Sequence, residues 1–177
     1  VALQICDGNC HNMLPQGIVA TLVVLQMVGR LVGSGCKGRI NLALGKGAMD
    51  IPSGVYVQNS GKTSTVGQLT GSGKIGAGCA FSNGVTVPAN TWKIGNDEEN
   101  FTWEGAFEGN ANFYKIGECR MTVKGGNLHS GITRIEAGSI LLSGAGAKLG
   151  TGTLTIASGA TLTGTSGSGG SLNNSSV

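Results

Sequence analysis

The chain predicts an all-β fold, a right-handed parallel β-helix (β-solenoid) with room for a short N-terminal cap. Three observations carry that prediction. The stretch VGRLVGSG, Val28 to Gly35, returns as VGQLTGSG, Val66 to Gly73, with six of eight positions identical. An echo at a fixed shift means stacked structural units rather than one unrepeated core. A second phrase repeats in a similar rhythm, a β-branched residue, a small turn and a new hydrophobic strand: IPSGVYV at Ile51, VPANTWK at Val87, IEAGSIL at Ile135 and IASGATL at Ile156. The third observation is compositional. Glycine takes 33 of 177 positions, while aromatic residues are 5% and charged residues 12% of the chain. Units this short and this rich in Gly, Thr and Val suit thin β-coils, and their surface must be Ser, Thr, Asn and Gly rather than charge.

In chain order, residues 1–16 lack periodicity and read as a cap or the end of a preceding coil. They hold Cys6, Cys10 and His11, which suit either a local disulfide or part of a metal site; three close ligands without a second pair are a weak zinc signal. Residues 17–164 read as solenoid coils, with an internal repeat of 28–57 against 66–93. The apolar run Gly17 to Gly29 is interrupted by Gln26 and is too short to span a bilayer. Its β-branched residues favour strand, with a short capping helix as the alternative. From Val28 onward Gly or Asn punctuates strands of three to five residues. A corner between two faces often needs positive φ, which Gly adopts freely and Asn tolerates next best, so Asn83, Asn90 and Asn96 are placed at such corners. Cys36, Cys79 and Cys119 are expected as small apolar fillers inside the stack.

Alternation within the last strands points Leu154, Ile156 and Leu162 inward and Thr153, Thr155, Thr161 and Thr163 outward. A 21-residue spacing pairs Ile135 with Ile156 and Leu141 with Leu162 as interior residues. Residues 165–177 are almost without apolar content and read as a polar tail or a loop to a further coil.

The segment 91–164 resembles the autotransporter-associated β-strand repeat, or passenger-associated transport repeat, of bacterial surface proteins. The resemblance runs through WEGAFEG, KIGECRMTVKGG, SGITRIEAGSILLSG and LGTGTLTIASGATLTG; Met121 and Val123 stand where the family has leucines, and Glu118-Cys119 where it has small residues. It implies an exported right-handed parallel β-helix on a bacterial cell surface, with a structural or adhesive role.

The net charge of +3 is scattered, without the basic runs or aromatic-basic interleaving that nucleic-acid binding needs. No nucleophile elbow, HExxH or CxxC is present, and GSGKIG at Gly71 is the repeat's corner rather than a phosphate loop. His11 and His129 are lone histidines, expected at the surface or in a coil. The expected partners are further coils of a parent chain or neighbouring subunits at the solenoid ends; no cofactor, metal, membrane span or nucleic acid is expected. The alternative is a carbohydrate-binding or carbohydrate-cleaving β-helix. Its candidate glycan contacts are Trp92, Asp97, Glu98, Glu99 and Trp103, because acidic loops with aromatic rings grip sugars. The plain reading of the same residues is a solvated turn over aromatics that plug a wide coil.

Overall fold

The computed structural model describes residues 4–7, 10–13, 37–39, 47–59, 63–77 and 89–165. These form a parallel β-solenoid of about five turns, without a helix among them. The first strands are β1 (Gln4–Asp7), β2 (Cys10–Met13) and β3 (Lys37–Arg39). Three complete coils follow: β4 (Ala48–Ile51), β5 (Tyr56–Asn59) and β6 (Thr63–Val66); β7 (Gln68–Gly71), β8 (Lys74–Ala77) and β9 (Asn90–Ile94); β10 (Phe101–Trp103), β11 (Ala106–Glu108) and β12 (Ala111–Lys115). The later coils keep two strands each, β13 (Arg120–Val123) with β14 (Thr133–Ile135) and β15 (Ser139–Leu142) with β16 (Leu154–Ile156), before β17 (Thr161–Gly164).

Strands from successive coils pair in parallel into three faces. The first face runs β11-β8-β5-β3 and continues into β1 and β2, which pair antiparallel in place of a further coil. The second face is β16-β14-β12-β9-β6. The third joins β4-β7 to β10-β13-β15-β17, with Glu104 N donating to Gly71 O across the seam. Where the later coils lack a strand on the first face, single bonds replace it: Leu128 N donates to Phe107 O, and Gly126 bridges Lys148.

Pairing at about 4.8 Å per step stacks equivalent side chains into columns. The second face carries two interior columns, Ser64–Trp92–Phe113–Thr133–Leu154 and Val66–Ile94–Lys115–Ile135–Ile156. A wide section is the β10–β12 coil, where Trp103, Phe107 and Phe113 enter from the three faces and are fully buried. The Phe107 and Phe113 rings stack at 4.5 Å, and Trp103 tilts against Phe107 at 5.9 Å.

Several expectations are corrected. Ile156 stands in the interior column over Ile135 but is 37% exposed, against 0% for Ile135, because no described coil covers it. On the third face the partner of Leu162 is Ile140, not Leu141. The spacing there is one residue longer than on the second face, so Ile140 is buried and Leu141 turns to the outer side beside Thr163. Leu162 itself is partly buried against the core. Ile51 ends a strand of the third face whereas Ile135 and Ile156 end strands of the second, so the four similar phrases are not one stacked position. No asparagine takes the positive-φ corners: among the described residues all of these are glycines. Asn90 and Asn96 act through their amides instead, Asn90 Nδ2 donating to Gly76 O. Of the two placements expected for His129, at the surface or in a coil, the structure takes the second, with the ring fully buried.

Cys119 is buried and free, as its filler role required. Val66 is fully buried; its repeat partner Val28 lies outside the described residues, as do Cys36, Cys79, Asn83, Val87 and the segments 14–36 and 166–177.

Candidate functional site

The loop after β9 builds a surface cleft. β9 ends on buried Ile94, and Gly95 then turns with φ 141°, tucked so closely that a Cβ there would collide with Ile116 O. Asn96 Oδ1 accepts the backbone N–H groups of Glu98 and Glu99, both at 2.9 Å, which folds the loop into a tight Asx turn. That turn lifts Asp97, Glu98 and Glu99 into solvent. Asp97 Oδ1 accepts Glu118 N at 3.2 Å, and Glu99 Oε2 accepts Gln68 Nε2 at 2.9 Å. The three carboxylates, with Ala48, Gln68 and Asn96, line a polar cleft of about 220 Å³ at the corner of the second and third faces.

The five expected glycan contacts therefore separate. Asp97, Glu98 and Glu99 do meet at one cleft. Trp92 and Trp103 do not join them: they are 1% and 0% exposed, so neither ring offers a face on which a sugar could stack. Trp92 lies between Ser64 and Phe113 in its column and donates Nε1 to Gly76 O at 3.2 Å. Trp103 is a pillar of the wide coil. Their size explains the correction, since three faces converging on one coil leave a space that large rings fill.

Two buried polar groups escaped the sequence reading. Lys115 takes an inward position on β12 and is fully buried between Ile94 and Ile135. Its ammonium donates to the carbonyls of Gly117 at 2.6 Å, Ile116 at 2.8 Å and Ala137 at 3.3 Å. Burial pushes its pKa down, opposed by the neighbouring Cys119 sulfur and by the Glu118 and Asp97 carboxylates. Three corner carbonyls and three ammonium protons match in number, which is how the interior tolerates the charge. The pattern of β12 held the signal, because strict alternation from Ala111 and Phe113 makes Lys115 inward.

His129 is the second. Its ring meets Phe107 and Phe113 edge-on, at 5.8 and 6.3 Å, and Nε2 shares a 2.7 Å hydrogen bond with Thr133 Oγ1. Burial alone pushes its pKa down to about 4, and Nδ1 has no partner among the described residues. A neutral ring closed in by aromatics, its one hydrogen bond among the described residues made to the buried Thr133 hydroxyl, is a packing element.

Among the described residues, no group of three or more His, Cys, Asp or Glu converges on a metal position. Nor is any helix among them long and apolar enough to cross a membrane. No family model, curated protein or solved structure matches the chain.

Proposed function

We propose that this chain is a structural and adhesive segment of an exported, surface-displayed bacterial β-solenoid protein, acting through its outer faces rather than by catalysis. The observation that carries this reading is the stack itself: five turns put regular, mostly uncharged side chains outward at a fixed axial step, a surface made for display. The resemblance of WEGAFEG to LGTGTLTIASGATLTG to bacterial surface repeats supports the same reading. The test is location. Intact cells producing the parent protein, labelled with an antibody against this segment, are expected to stain without lysis; staining only after lysis overturns the proposal.

Partners at the coil ends are supported by the end of the Ile135–Ile156 column, which no described coil covers. Ile156, 37% exposed over buried Ile135, is a position that a further coil, a neighbouring subunit or a second copy would cover. Light scattering across concentrations should show self-association of the isolated chain. A strict monomer at high concentration would mean that the column is already sealed.

One observation favours the second reading, a carbohydrate-binding or carbohydrate-cleaving protein: Asp97, Glu98 and Glu99 share a cleft with Gln68 and Asn96. On that reading, Asp97→Asn with Glu99→Gln abolishes binding or cleavage of a glycan panel while the melting temperature holds. An unchanged glycan profile removes it.

A further inference from the structure

The outer side of the second face carries an aligned set of cationic and aromatic side chains. On the other faces two lysines lie against glutamates of a neighbouring coil: Lys74 Nζ is 2.7 Å from Glu108 and Lys124 Nζ 3.0 Å from Glu104. On the second face, pairing aligns Lys93, Tyr114 and Arg134 in one outward column. Their inward neighbours Trp92, Ile94, Phe113, Lys115, Thr133 and Ile135 are all buried, which fixes these three on the outside. Lys93 Nζ and the Tyr114 hydroxyl make no ion pair or hydrogen bond among the described residues, and only Glu136 reaches Arg134, through Nε at 3.4 Å. The adjoining outward column holds Ile132, 42% exposed, and Leu128, 59% exposed, stands at the nearby corner.

We propose that this face binds an anionic polysaccharide, laid along the solenoid axis across Lys93, Tyr114 and Arg134. The inference rests on the adhesive reading and gives it a ligand class. Strand steps of about 4.8 Å place the two cations two steps, roughly 10 Å, apart with an aromatic ring between them. A linear polymer with an acidic group on alternate sugars meets that pattern, its charged units over Lys93 and Arg134 and the apolar face of the intervening sugar over Tyr114. Two cations and one ring are too few for a nucleic acid, which carries a phosphate at every nucleotide and depends on neutralising many of them. The acidic loop at Asp97–Glu99 lies beyond the ends of these strands and borders the track on one side, repelling an anion that strays from it.

The test uses the purified chain with hyaluronan, neutral dextran and an oligothymidylate as probes, read by interferometry. Hyaluronan is expected to bind in preference to both others and to weaken as salt rises. Lys93→Gln with Arg134→Gln should weaken it roughly tenfold, Tyr114→Ser should also weaken it, and the paired-lysine variant Lys124→Gln should leave it unchanged. All variants should melt with wild type, since each change is at the surface. Equal retention of dextran, tighter binding of the oligothymidylate, indifference to the double variant, or no binding at all would each overturn the proposal. Cells displaying the chain separate this failure from that of the adhesive reading. Adhesion that survives the double variant refutes the site alone, whereas a chain that labels only after lysis refutes the adhesive reading.

Discussion

Ile135 and Ile156 hold the same place in successive coils, yet one is sealed and the other is more than a third exposed. Ile135 has Lys115 on one side and Ile156 on the other; Ile156 has only Ile135 among the described residues. The same contrast holds between whole coils. Around β10–β12, large rings from all three faces interlock and His129 closes over them. At β15–β17 the fillers are Ile, Leu and Ala, and Leu162 and Ala160 are only partly buried. In a solenoid, then, a side chain's contribution depends on its neighbours above and below as much as on its own direction, as expected when each unit touches only adjacent units.

The largest effect expected from this contrast is in the wide coil. Phe113→Ala removes a ring stacked at 4.5 Å on Phe107 and should cost about 4 kcal/mol by chemical denaturation, whereas Leu162→Ala should cost about 1. Similar losses at both sites would mean that the last strand is as well covered as the centre.

Acid should act on the same coil. The fold holds His129 neutral, with its pKa down at about 4, while the unfolded residue takes a proton near 6.5. Protons therefore favour the unfolded chain between these values: stability is intact above about pH 6.5 and falls toward pH 4. The full loss is about 3 kcal/mol. His129→Gln should flatten that part of the stability profile, and a variant that keeps the wild-type slope would place its origin in other groups.

Next comes the matched pair. Ile135→Ala should cost at least about 2 kcal/mol more than Ile156→Ala, measured as the difference between two urea midpoints. Smaller still is the corner glycine Gly159, which has φ 84° with nothing near its missing Cβ; Gly159→Ala should cost about 1 kcal/mol. Gly95→Ala should cost clearly more, since its Cβ would strike Ile116 O, and equal costs would mean that the backbone there yields easily.

Much of this architecture was legible in the sequence because Gly-bounded alternation encodes both strand and direction. β13, β14, β15, β16 and β17 fall on RMTVKG, ITRIEAG, SILLSG, GTLTIASG and ATLTG, and Cys119, Ile135 and Leu154 are interior as expected. What the sequence hid follows from coil length, which varies between faces: a 21-residue step is right for Ile135 and Ile156 but one short for Ile140 and Leu162, and one residue reverses every side chain. Lys115 and His129 were hidden for another reason. Residue type says they belong in water, and only the corner carbonyls around one and the rings around the other, both supplied by neighbouring coils, make burial tolerable. The expected glycan set was half legible: the Asp97–Glu99 turn was readable from its charges, while Trp92 and Trp103, in successive coils, looked like sugar platforms only because the interior space of those coils was unknown.

The most direct test of the claim that coils depend on their neighbours is amide hydrogen exchange along the third face. β13 is paired on both sides, by β10 and β15, whereas β17 pairs only with β15 among the described residues. The account predicts that the amides of Met121 to Val123 exchange far more slowly than those of Leu162 to Gly164. Equal protection in the two strands would contradict it.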